Sequence, residues 1–162
     1  MTMTSTGTAK VTLPADDQIL ITRDFDAPRH LVWRAWTTPE LVERWWAGHR
    51  GTVASVEIDL RVGGGWRYVM EASGGFEVGF HGEYREIEPE ERVVSTEVFE
   101  GMPDAHSVNT LTLSESDGRT HMEVLVQHEN QEHRDGHINS GMEGGMQESM
   151  DLLEEVAVSL GD

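Results

Sequence analysis

The sequence predicts an α+β fold: a curved antiparallel sheet of about seven strands wrapped around a long C-terminal helix, with two short helices after the first strand. Three observations carry this. From Asn130 to Leu160, apolar side chains recur at intervals of three and four, placing Ile138, Met142, Met146, Leu153, Val156 and Leu160 on one stripe. From Thr52 to His128 the pattern changes to short period-two runs separated by turn residues, the rhythm of an antiparallel meander. Between the first strand and that meander lie two proline-led helical segments. A sheet this long must curl, and the terminal helix is the remaining element long enough to cover its concave side.

Taken in order, Met1 to Lys10 is rich in Thr, Ser and Gly and lacks the basic start and apolar stretch of a signal peptide. Residues 1–17 are read as a disordered tail and residues 18–162 as one folded domain. Gln18 to Phe25 alternates as a strand, with Ile19, Ile21, Arg23 and Phe25 on one face. Pro28 falls at the first turn of a helix carrying Leu31, Val32, Trp33, Ala35 and Trp36, and Thr38 with Pro39 opens a second carrying Leu41, Val42, Trp45 and Trp46. Four of the five tryptophans lie in this pair. Each aromatic buries of order 150 to 250 Å², so at least one is expected to line an opening.

Strands are expected at 52–61, 64–72, 76–87, 91–99, 108–115 and 119–128. Ser73 to Gly75, Glu88 to Glu90 and Asp117 with Gly118 supply the turns, and the longer loop from Gly101 to Ser107 is expected to be mobile. In the last helix Asn130 is a suitable N-cap, and Gly161 stands where a C-terminal cap uses positive φ. Gly136, Gly141, Gly144 and Gly145 lie inside it, each costing roughly 1 kcal/mol against alanine. They mark either a break near Gly141 to Gly145 or space cleared for a close approach.

A formal charge of −18, from 30 acidic against 12 basic residues, repels phosphate backbones and anionic lipid. Nucleic acid is therefore excluded as a partner, while a neutral or cationic ligand or a basic protein surface fits. The absence of cysteine rules out disulfides and thiolate chemistry. No apolar run approaches the roughly 20 residues that span a bilayer, so no membrane insertion and a cytoplasmic location are expected. A homodimer is left open.

Four segments, DAPRHLVWRAWTTPELVERWW (Asp26 to Trp46), EIDLRVGGGWRYVM (Glu57 to Met70), FHGEYREIEPEERVV (Phe80 to Val94) and SGMEGGMQESMDLLEEV (Ser140 to Val156), resemble the activator of heat-shock protein 90 ATPase homologue family. That family belongs to the SRPBCC superfamily, with the START lipid-transfer domains and the birch pollen allergen. The resemblance covers about Gln18 to Leu160 and implies a helix-grip fold with a deep apolar pocket. It also implies contact with a chaperone, although the separate N-terminal chaperone-binding domain of the eukaryotic activator has no counterpart in these residues. Polyketide cyclases and aromatases of the superfamily offer an enzymatic alternative.

The pocket expected between sheet and helix is assigned the walls Trp46, Trp66, Tyr68, Met70, Phe80, Met142 and Met146, around a small apolar or aromatic molecule. His49, Arg50 and His81 are candidates for a polar rim. Glu97 and Gln127 lie on strands whose facing one bulge would invert. Asp59 and Arg61 flank the Gly63 to Gly65 turn as a charge pair, and Gly82 is expected to permit a close approach. His133 and His137, four apart, lack a third ligand, so no metal site is assigned. No nucleophile with its base, phosphate loop or dinucleotide fingerprint occurs, so no catalytic residue and no cofactor are assigned.

Overall fold

The chain enters the sheet earlier than its composition suggests. In the computed structural model, which describes residues 9–48, 51–72, 74–139 and 142–161, Lys10–Thr12 forms an edge strand, β1, paired antiparallel with β2 (Gln18–Phe25). Within the span 1–17 expected to be a disordered tail, Lys10–Thr12 is thus part of the sheet, and residues 1–8 lie outside the described residues. The cause is a long-range contact: the Ala9 N–H donates to Gln147 Oε1 (3.1 Å) and Gln147 Nε2 donates to the Ala9 carbonyl (2.8 Å). A side-chain amide thus satisfies both polar groups of one buried peptide residue, 138 residues away in sequence.

Six further strands follow: β3 (Gly51–Ile58), β4 (Gly65–Ala72), β5 (Glu77–Glu88), β6 (Arg92–Phe99), β7 (His106–Ser116) and β8 (Arg119–His128). They form one sheet in the order β1-β2-β8-β7-β6-β5-β4-β3, every neighbouring pair antiparallel. The eighth strand, against about seven expected, is β1. Asp117 (φ 54°) and Gly118 (φ 75°) both take the left-handed conformation that a two-residue hairpin requires. Gly63 (φ 85°) does the same in the turn between β3 and β4, where Arg61 Nε donates to both Asp59 carboxylate oxygens at 3.0 and 2.8 Å.

Helices α1 (Arg29–Thr37) and α2 (Pro39–Val42) carry the chain from β2 to the far edge of the sheet. Pro28 precedes α1 as its N-cap, one residue earlier than predicted, and Pro39 is the first residue of α2. The pair is locked by the Trp45 indole, which donates to the Ala35 carbonyl at 3.0 Å and packs against Trp36 at 5.1 Å. Trp45 is buried, whereas Trp33, Trp36 and Trp46 are half-buried.

The predicted terminal helix is described as two stretches, α3 (Gln131–Asn139) and α4 (Met142–Leu160); Gly141, part of the expected break, lies outside the described residues. Asn130 caps α3 as expected, its Oδ1 accepting from the His133 N–H at 2.8 Å. Gly136 and Gly144 face open space, so neither clears room for a neighbour. Gly161 is not in the left-handed region; its N–H closes on the Val158 carbonyl at 3.1 Å, and the contact that limits it is with Leu31 of α1.

Leu153, Val156 and Ala157 of α4 sink into one core with Ile19, Phe25, Val32, Leu111 and Met122. Arg23 belongs to the inward face of β2, as the alternation predicted. It is buried beneath α4, where Nη1 meets Asp151 Oδ1 (2.8 Å) and Nη2 meets Glu154 Oε1 (3.2 Å).

At the other end of the helical segment, His128 Nε2 and His137 Nδ1 are 3.0 Å apart. A hydrogen bond between two imidazoles needs one nitrogen without a proton. Burial, and then the neighbouring His128, pushes His137 down to about 4, and burial with the nearby His133 and Arg134 lowers His128 against a small opposing pull from Asp17. A histidine depressed from its ordinary 6.5 or so contributes stability that is complete above that value and is lost as the pH falls toward the folded-state value. The shift is worth up to about 3 kcal/mol at about 1.4 kcal/mol per pH unit. The expected result is a melting temperature that falls between pH 6.5 and 4, with a visibly flatter profile in His137→Gln. Identical profiles for the two proteins would show that the pair does not govern this range.

Candidate functional site

Strict alternation on four strands places a mixed aromatic and polar surface on the core face of the sheet. β4 directs Trp66, Tyr68 and Met70 to this face, β5 directs Phe80, Gly82 and Tyr84, β6 directs Val93, Ser95 and Glu97, and β7 directs Ser107, Asn109 and Leu111. A bulge between Tyr84 and Glu86 comes only after these residues, so Phe80, Gly82 and Tyr84 stay in phase while Ile87 still reaches the core.

The row is built around a missing side chain. Gly82 pairs with Trp66, and the Trp66 indole lies across it to donate to the Thr96 carbonyl on β6 at 3.1 Å. The β5–β6 ladder is interrupted here, and the Glu83 N–H is taken by Thr96 Oγ1 at 2.9 Å. A Cβ at Gly82 would overlap the Thr96 carbonyl and come within 2.6 Å of Trp66 Nε1. The close approach expected from the sequence is therefore present.

Tyr68 packs edge-on against Trp66 at 4.9 Å between centroids, and Trp46 meets Tyr68 at 5.3 Å and Phe80 at 5.7 Å, both edge to face. Trp46 is held to α4 through its own carbonyl, which accepts from Ser149 Oγ at 2.8 Å. Met146, one turn before Met150, is half-buried against the same core, whereas Met150 is buried. Trp46, Trp66, Tyr68, Phe80 and Met146 thus gather on the face covered by α4, and Met70 is buried on that face one pair further along β4.

Sequence reasoning left Glu97 unassigned. It stands on this face because β6 pairs with β7 without a register shift, so the inward position of the core residue Val93 fixes the parity of Ser95 and Glu97. Counting forward from Val93 in steps of two was the signal that could have found it. Asn109 Nδ2 donates to Glu97 Oε1 at 3.0 Å. Burial pushes the Glu97 carboxyl above its ordinary range against this bond, and burial also raises Tyr68 strongly, with Tyr84 and Glu97 contributing. Tyr84 is pushed up to about 12, mainly by burial. Yet Tyr68, Phe80, Glu97 and Asn109 all retain partial accessibility. These groups are desolvated by the surrounding protein yet still accessible on the core face of the sheet.

His81 does not belong to this rim. It alternates with Phe80 and points to the opposite face, where its Nδ1 lies 2.9 Å from Glu100 Oε2. Arg67 shares that carboxylate through bonds of 2.8 and 2.9 Å, and Arg67 and His81 hold it down to about 2. A side groove of about 310 Å³ opens beside this triad, lined by Val69, Phe76, Phe99 and Gly101 among others. Its charges already satisfy one another. His49, Arg50 and the side chain of Met142 lie outside the described residues. Among the described residues no cluster of three or more His, Asp or Glu could hold a metal ion, and no helix is long and apolar enough to cross a membrane.

The family model described as activator of Hsp90 ATPase homolog 1-like protein matches residues 26–157. The chain belongs to this family. Solved structures share its fold: a Rhodobacter sphaeroides protein is 22% identical with a TM-score of 0.86, covering 93% of this chain and 99% of its own. A Nitrosomonas europaea protein is 24% identical at 0.82, covering 92% and 99%. An AHSA1-like protein from Aeromonas hydrophila is 20% identical at 0.67, covering 88% and 94%. At such identities the likeness shows the helix-grip fold alone. No curated protein matches the chain significantly. The family match runs from Asp26, at the entrance to α1, to Ala157 in the last turns of α4, and so includes every residue of the candidate site.

Proposed function

We propose that this protein is a binding protein for a small apolar or aromatic molecule, held between the core face of the sheet and α4, without catalysis of its own. The supporting observation is the convergence of Trp46, Tyr68 and Phe80, whose rings meet edge to face beneath α4 while keeping accessible surface. A ligand of about 20 heavy atoms at roughly 0.3 kcal/mol per atom would bind with about 6 kcal/mol, or tens of micromolar. Binding should quench Trp46 fluorescence and raise the melting temperature. A screen of lipids, sterols and polyketide-like aromatics that changes neither signal would remove this reading.

The two methionines on α4 separate a recess from a filled core. Met146→Trp should leave the melting temperature unchanged or higher and abolish ligand binding, because the added rings occupy open space. Met150→Trp, in the buried core, should destabilise by about 1 to 3 kcal/mol. Equal and large destabilisation at both positions would show continuous packing with no room for a ligand.

A further inference from the structure

We propose that the ligand is an organic cation, an amine on an aromatic or apolar body, whose ammonium group pairs with Glu97 while its body lies against Tyr68, Phe80 and Trp46. This deepens the binding reading above and rests on it. Four observations lead to it. Glu97 stands on the core face of the sheet with one carboxylate oxygen bonded to Asn109; among the described residues the other oxygen has no partner, and no Lys, Arg or His pairs with it. Asn109 Oδ1, beside it, is buried and without a hydrogen-bond partner, an acceptor suited to a second ammonium N–H. The rings present π faces and edges around the same space, an environment that stabilises a desolvated cation. The charge of −18 concentrates cations at the protein and repels anions.

The groups facing Glu97 from the surrounding elements do not compete for its charge. Tyr68 on β4 and Tyr84 on β5 stay protonated and neutral at ordinary pH. On β7, Ser107 and Asn109 are uncharged; Ser107 pairs with His128 on β8, which lies against His137 of α3, and both histidines are depressed. Within the described residues, Glu97 is the one acid on this polar row, and it has no counter-ion. A carboxyl that burial raises is stabilised as a carboxylate when a cation enters beside it, so binding releases a proton from Glu97. Amine affinity must then climb as pH rises through the raised value.

The test compares naphthylethylamine with naphthylethanol, which share a body and differ in charge, by tryptophan quenching and calorimetry from about pH 5 to 8. In this range an alkylamine remains protonated. The expected result is at least a tenfold preference for the amine at about pH 8, an amine affinity that falls toward pH 5, and an alcohol affinity that does not change. Glu97→Gln, which keeps the Asn109 contact, should bring the two probes within about threefold of each other. Wild-type pH dependence stands even if that variant folds poorly. Equal binding of both probes at all pH values would overturn the cation reading and leave the binding site intact. Failure of both to bind would overturn the two together.

Discussion

Gly82→Ala is expected to lower the melting temperature by about 10 °C or more. The added Cβ would overlap a backbone carbonyl, that of Thr96, and stand 2.6 Å from the Thr96 carbonyl carbon and from Trp66 Nε1. Backbone cannot swing aside as a flexible side chain would, so β5 and β6 must part or Trp66 must leave. Overpacking typically costs about 1 to 3 kcal/mol, and losing the indole bond leaves the Thr96 carbonyl unsatisfied at about 1 to 3 kcal/mol more. At about 2 to 4 °C per kcal/mol for a chain of this size, the sum exceeds any surface substitution. Gly144→Ala is the matched control: nothing lies within 4 Å of its Cβ position, and it is exposed in α4. It should stabilise by about 1 kcal/mol. Thermal melts of the two variants should therefore move in opposite directions, and a neutral Gly82→Ala would show that Trp66 is not fixed across β5.

The second large effect concerns the charge beneath α4. The Arg23 side chain is 1% exposed, whereas Asp151 is 61% and Glu154 24% exposed. Removing both acids in Asp151→Ala/Glu154→Ala leaves a guanidinium buried with only the Phe25 ring, 5.0 Å away, as compensation. It also removes the Glu154 acceptor from the Asp26 N–H at the entrance to α1. Stripping the partners from a buried charge costs about 3 to 5 kcal/mol. Arg23→Met should cost much less, within about 1 to 2 kcal/mol, since the released carboxylates return to water and a similar volume still fills the site. Equal losses in the two variants, by denaturant titration, would contradict this asymmetry.

The elements that local patterns govern were legible. Arg23 could be placed on the inward face of β2 from alternation alone, and the Asp117-Gly118 hairpin and the Asn130 cap follow from residue chemistry at one position. What depended on distant partners was hidden. Lys10–Thr12 reads as tail because Gln147, which secures it, lies at the other end of the chain. That Trp46, Trp66, Tyr68 and Phe80 meet could be read because large rings on one face must pack together beneath the helix. The facing of the polar residues could not: for His81 and Glu97 it turns on whether a bulge precedes or follows them, and the β5 bulge falls just after Tyr84. Gly161 misled because a helix end can close on its own carbonyls without a left-handed residue.

The central claim is that a ligand sits between α4 and the core face of the sheet. Intermolecular nuclear Overhauser effects between bound naphthylethylamine and protein carrying labelled methionine methyls and aromatic rings test it most directly. The expected contacts are from the naphthyl protons to the Met146 methyl and to the Tyr68 and Phe80 rings, with Met150 silent. Contacts confined to Phe76 and Met102, in the exposed side groove and its neighbouring loop, would contradict the account.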